Sequence, residues 1–304
     1  MAKNIIMHTL SFISASGGVG KTTFAILTAG ALAARGKRVL LIDLDSSATA
    51  TLWTVKNVEE NCDIKTLMKE LLDYRLGRTR NIRDVKQCLH KHKVRGLDAV
   101  FYILPGGNLN DLTMEIFSTP KWEILLDELI APIKEDFDYI IVDSPNWLYP
   151  HFPMVVMFTP FYIALTRPGG PEREKTALLL DRIFAMLKRH FSIPEPEKYV
   201  AVLLNQIRTT KVADIEREWN TLYKTLAERY PGITVIRNDK ADYYYGEVQT
   251  PFYGFKLRND LGAEEYQKSG HPLKSNNKAI KAQFTAYMES LTEFIKANAP
   301  YQVE

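Results

Sequence analysis

The sequence predicts an α/β fold, a doubly wound and mostly parallel sheet flanked by helices. Three observations carry this. Short β-branched runs alternate with longer amphipathic stretches over most of the chain, the pattern of successive strand–helix–strand units. Most strand candidates are continuous apolar runs, as expected of strands covered on both faces. A glycine-rich stretch, SASGGVGKTT from Ser14 to Thr23, stands between the first strand and the first helix.

Taken in order, IIMHTLSFIS (5–14) and RVLLIDLD (38–45) read as strands. Between them Lys21 to Arg35, rich in Ala and Leu, reads as a helix stopped by Gly36. A helix is expected over 62–74, a strand over 98–106 (DAVFYILPG), a helix over 120–137 and a strand in FDYIIVDSP (137–145). Ser144 to Thr166 carries no fixed charge, but Pro145, Pro150, Pro153 and Pro160 exclude a spanning helix. That stretch reads as a buried loop, helix and strand, ending in FYIALTR (161–167). A helix over 171–191, a strand in YVAVLLNQI (199–207), a helix over 210–230, a strand in GITVIRND (232–239) and a last helix from Asn277 to Asn298 complete the series. No repeat or linker interrupts it, so residues 1–304 are expected to form one domain.

Composition narrows the classes. The chain has 304 residues, 46% hydrophobic and 25% charged, ordinary for a globular core. The net charge of +3, from 39 basic and 36 acidic residues, is too mild to predict a nucleic-acid partner by itself. Cys62 and Cys88 fit no metal-ligand spacing and are expected as two idle thiols, with no disulfide and a cytoplasmic location. The first eighteen residues read as a strand running into the loop, not as a signal peptide.

Ala15-Ser16-Gly17-Gly18-Val19-Gly20-Lys21-Thr22 fits the phosphate-binding P-loop, with alanine at the first glycine position, and makes the fold of the P-loop NTPase type. Glycines let backbone N–H groups turn inward around phosphate oxygens, and the following helix points its positive end at the same anion. Gly17, Gly18, Val19, Gly20, Lys21, Thr22 and Thr23 are the expected ATP-binding residues; Lys21 would reach the β- and γ-phosphates and the Thr22 hydroxyl would ligate Mg²⁺. Asp43 and Asp45 end one strand and Asp143 another, and ligands collect at such carboxyl ends. Asp143 fits a Mg²⁺-holding acid, and either Asp43 or Asp45 fits a residue orienting the attacking water.

SGGVGKTT, VLLIDLDSSATATLW, FDYIIVDSPNWL, VAVLLNQI and ITVIRNDKADYYYGEVQTP follow the order and spacing of the ParA/MinD family, which the chain resembles over nearly its whole length. YILPGGNLNDL also resembles a stretch that recurs there. The resemblance implies an ATPase that dimerises around two ATP molecules. It implies that Asp45 orients the hydrolytic water, Asp43 lies near Mg²⁺ and Asp143 is the Walker B acid. It further implies that Asn205 contacts adenine and that the segment from Arg237 to Asp242, with Arg237 and Asp239 as its binding residues, closes over the base. Ser16 departs from the family, which has a lysine there that reaches into the partner's site; Arg167 and Arg173 are the candidate substitutes. Ser46 and Ser47 also depart from the family's usual Pro-Gln.

The short ParA type binds duplex DNA non-specifically as an ATP-dependent homodimer, with hydrolysis stimulated by a centromere-binding or other partner. With about eight residues expected before the first strand, no appended helix-turn-helix is expected here. Expected DNA contacts are Arg237, Lys240, Lys274, Lys278 and Lys281, with a second basic cluster from Arg75 to Arg95. The end of the chain, ESLTEFIKANAPYQVE, lacks a basic amphipathic pattern and argues against membrane docking. Alternatives are a MinD-like or other protein-cargo positioning ATPase, or a weakly hydrolysing ATP-dependent switch.

Overall fold

The computed structural model describes residues 8–205, 212–236, 271–274 and 278–298. The chain falls into two compact units, Met1–Phe12 with Thr22–Pro160, and Ile13–Lys21 with Phe161–Glu304.

The first unit holds most of β1 (His8–Ser14), then α1 (Lys21–Ala34), β2 (Val39–Asp43), α2 (Thr49–Thr54), α3 (Ile64–Arg75), β3 (His90–Lys93), β4 (Val100–Leu104), α4 (Thr113–Ser118), α5 (Leu125–Ile130), β5 (Tyr139–Asp143) and α6 (Phe152–Phe158). Its strands lie in the order β3-β4-β2-β5-β1. β5 pairs in parallel with both β1 and β2, so that Tyr139 faces His8 on one side and Val39 on the other. β2 and β5 are buried along nearly their whole length, as the apolar runs predict. Leu40 and Ile42 of β2 and Ile140 and Val142 of β5 pack with Leu67 and Leu71 of α3, Leu126 and Leu129 of α5 and Val155 of α6. Each such side chain removed from water contributes about 1.5–3 kcal/mol. α1 is buried nearly all round and ends where Gly36 takes φ 75° and donates to the Ala33 carbonyl at 2.9 Å.

In the second unit are β6 (Phe161–Thr166), α7 (Gly170–Phe191), β7 (Val200–Leu204), α8 (Val212–Arg229), β8 (Thr234–Ile236) and α9 (Lys278–Asn298). β6, β7 and β8 are parallel, with Tyr162 opposite Val200 and Ala201 opposite Thr234. Phe161 packs edge-on against Phe294 of α9.

The fold class is the predicted one, α/β with a mostly parallel sheet and flanking helices, and 144–166 is the expected loop, helix and strand. No described helix is long and apolar enough to cross a membrane. Three details differ from expectation. The helix over 120–137 is broken into α5 with 3-10 turns at Trp122–Ile124 and Ala131–Asp136. Pro132 lacks the N–H that a continuing helix needs. The stretch HKHK is β3, the one antiparallel strand described, joined to β4 with Lys93 opposite Val100. Cys62 and Cys88 are not idle thiols but a disulfide, with Cα atoms 4.8 Å apart across 26 residues. The N-cap of α3 and the 3-10 turn Val85–Cys88 bring them together.

Candidate functional site

The loop after β1 has the backbone that its glycines foretell. Gly18 takes φ 70° and Gly20 φ 101°, both in the left-handed region that side chains resist. Gly17 differs, since a Cβ there would meet nothing within 4 Å. Gly17 and Gly18 are exposed, Val19 is buried, Gly20, Lys21 and Thr22 are half-buried and Thr23 is buried. The Ser14 hydroxyl donates to the Ser16 carbonyl at 2.8 Å, and α1 begins at Lys21. Within the second unit, Asn205 at the end of β7 holds the loop by donating its Nδ2 to the Val19 carbonyl at 2.7 Å. Its Oδ1 is buried and accepts no hydrogen bond among the described residues. Arg237, Asp239 and Lys240 lie outside the described residues.

Ser16, at the position of the family's lysine, donates its hydroxyl to Glu172 in the first turn of α7. Glu172 also pairs with Arg167 at 3.2 Å and Lys175 at 3.6 Å, and these three donors hold its carboxyl below the ordinary range. Arg173 faces Glu218 of α8 instead, at 3.5 Å.

The first unit supplies the carboxylates. Asp43 and Asp143 are register partners at the carboxyl ends of adjacent parallel strands, and both are wholly buried. Asp43 Oδ2 accepts from the Thr51 N–H at 2.8 Å and the Thr51 hydroxyl at 2.7 Å. The Gly106 N–H in turn donates to the Thr51 hydroxyl at 2.7 Å. Burial first, then the charge of Asp143, pushes the Asp43 carboxyl up to about 8. Asp43 Oδ1 is buried and accepts no hydrogen bond among the described residues. Two buried carboxylates side by side, one with an unserved oxygen, are a donor set that suits a hard divalent cation. Among the described residues no group of three His, Cys, Asp or Glu side chains gathers as a metal site, so other ligands would be hydroxyl or water.

Asp45 is half-buried in a tight turn, where its Oδ1 accepts from the Ser47 N–H at 2.9 Å and Ala48 takes φ 49°. The Asp45 charge acts on His151, a buried imidazole at the start of α6 with both nitrogens lacking hydrogen bonds among the described residues. Burial lowers His151 to about 4.

Sequence reasoning missed Thr51, Gly106, Glu172 and His151. Gly106 had a signal, the PGG after a strand, whereas Glu172 lies in an ordinary charged helix start. The basic cluster from Arg75 to Arg95 is partly spent internally: Arg75 pairs with Glu128 at 2.5 Å, Arg78 with Asp73 at 3.1 Å, Arg83 with Glu70 at 3.1 Å and Lys86 with Asp136 at 2.8 Å. Lys274 and Lys281 are exposed, and Lys278 opens α9.

Residues 7–157 match the family model described as an AAA domain. An uncharacterized ATP-binding protein of Methanocaldococcus jannaschii is 33% identical over 144 residues, 47% of this chain and 47% of that protein. The chain thus spans about half the length of the first curated relatives it matches. The septum site-determining protein MinD of Bacillus subtilis is 29% identical over 196 residues, 64% of this chain and 63% of that one. Among solved structures, pNOB8 ParA bound to nonspecific DNA superposes with TM-score 0.64 at 19% identity, covering 96% of this chain and 99% of that one. Over residues 7–157 and the relatives named, the chain is similar to the ParA/MinD type of P-loop ATPases, and the likeness to pNOB8 ParA shows that it shares that fold.

Proposed function

We propose that this chain is a Mg²⁺-dependent ATPase of the ParA type that dimerises on ATP and binds duplex DNA non-specifically in plasmid or chromosome partition. The observation that carries the reading is the left-handed pair Gly18 and Gly20, which opens the loop's N–H groups ahead of Lys21 at the start of α1. In this reading the N–H groups of Gly17 to Thr23 and the Lys21 ammonium bind the phosphates. Thr22, Asp43 and Asp143 would hold Mg²⁺, which when bound neutralises phosphate charge. Asp45 orients water toward the terminal phosphate, yielding ADP and inorganic phosphate. Asn205, tied to the loop at Val19, serves the base, and Arg237 and Asp239 close over it. Lys274, Lys278, Lys281, Arg237 and Lys240 meet DNA phosphates, and a stimulating partner protein acts in the cytoplasm.

Cosedimentation with non-specific duplex DNA, in ATP, ADP and no nucleotide at two salt concentrations, tests the DNA half. Binding is expected in ATP alone and to weaken with salt. Binding in no state would return the basic residues to ordinary surface and favour a protein-cargo ATPase, a reading to which the long MinD match lends weight. For the chemistry, Asp45→Ala is expected to keep ATP binding and lose hydrolysis by about a hundredfold or more; unchanged turnover would remove that role. The bond from Ser16 to Glu172 favours slow basal turnover, since serine brings no charge to the phosphates.

A further inference from the structure

We propose that Arg167 brings a second positive charge, from the same chain, to the phosphates held by the Ser14–Thr23 loop, and that Glu172 is the residue that positions it. The inference rests on the reading of that loop as a nucleoside triphosphate site.

Glu172 is the junction. Its side chain is only 13% exposed, yet it takes the Ser16 hydroxyl, the Arg167 guanidinium and the Lys175 ammonium. Arg167 follows β6 and Glu172 opens α7, so their contact at 3.2 Å is set by how the strand end meets the helix start. That junction is pinned: the Thr176 hydroxyl donates to the Glu172 carbonyl at 2.8 Å and is hydrogen-bonded to the Thr166 hydroxyl at 2.9 Å. Arg167 is therefore one carboxylate away from the loop.

A carboxylate bonded to a phosphate loop would repel a triphosphate if its charge stood alone. Two cations on one carboxylate leave the cluster net positive. Arg167 is 37% exposed, within reach of an incoming anion, and its planar guanidinium can take a phosphate through two parallel hydrogen bonds. Lys175 meets Glu172 from the next turn of the same helix and is more exposed, at 53%. Arg173 is drawn to Glu218 instead. Of the three, Arg167 directly follows a strand end and makes the shorter pair with Glu172, the carboxylate that also takes the Ser16 hydroxyl. Its charge should count most for the nucleotide with more phosphate.

The test is binding of fluorescent ATP and ADP analogues to the full chain and its variants, with thermal melting alongside. Lys21→Ala should lose both nucleotides. Arg167→Ala should weaken ATP about tenfold and ADP far less, with Arg167→Lys recovering part of the loss. Glu172→Gln should lower the preference for ATP over ADP while melting near the wild type. An Arg167→Ala protein with wild-type affinities, beside a Lys21→Ala protein that has lost them, would overturn the proposal and leave the loop reading intact. Equal loss of ATP and ADP with a lowered melting temperature would also overturn it, marking Arg167 as structural. A wild-type chain that binds neither nucleotide would bring down both readings.

Discussion

At the scale of single residues, two glycines with the same letter have opposite requirements. A Cβ on Gly106 would stand 2.8 Å from the Asp43 carboxyl carbon, whereas one on Gly17 would touch nothing within 4 Å. Gly106→Ala should therefore destabilise the fold by about 1–3 kcal/mol, while Gly17→Ala should melt with the wild type and weaken nucleotide binding only. Urea titration of both variants checks this. Asp43 and His151 set a pH dependence with opposing signs. Asp43 is raised from the ordinary 3.8 to about 8 in the fold, so without divalent cation the folded chain keeps a proton the unfolded chain releases. Its contribution falls as pH rises across that window. His151, lowered from 6.5 to about 4, costs stability as pH falls across its own window. The two slopes offset one another from about pH 4 to 6.5, and the Asp43 slope stands alone from there to about 8. Stability should drop by about 2 kcal/mol over that upper range and be restored by Mg²⁺. Asp43→Asn should flatten the curve, and denaturation at stepped pH would show whether it does.

At the scale of elements, what could be read in advance was whatever leaves a local pattern. β2, β5 and β6 are runs of apolar residues because both faces are covered, and α1 stops at a glycine whose backbone angle demands one. The loop was legible because its glycines and Lys21 stand at fixed spacing. β3 was not, since HKHK has no apolar alternation and becomes a strand only through its pairing with β4. The 120–137 stretch misled because its apolar spacing is helical while Pro132 breaks the hydrogen bonding. Contacts between distant segments leave no local trace. Ser16 gives no hint of Glu172, nor does Cys62 of Cys88. That disulfide closes a loop containing α3, whose N-cap Asp63 follows Cys62 directly. Closing a loop of that size stabilises by roughly 3.5 kcal/mol through chain entropy. Cys62→Ser with Cys88→Ser, or reduction by a dithiol, should lower stability toward that extent, and melts with and without reductant would measure it.

For the whole molecule, the order of strands in space and in sequence are at odds. β1 and β2 do not pair with each other; each pairs with β5, which begins only at Tyr139. A ribosome must therefore make Tyr139–Asp143 before either earlier strand gains that neighbour. Until then β1 and β2 each present a row of unpaired backbone groups flanked by apolar side chains, the kind of edge that joins other chains. Asp43 is synthesised well before Asp143, so the carboxylate pair is absent from a short nascent chain. The arrangement that brings the two carboxylates together thus leaves both earlier strands with an open edge for as long as the chain stops short of Tyr139–Asp143.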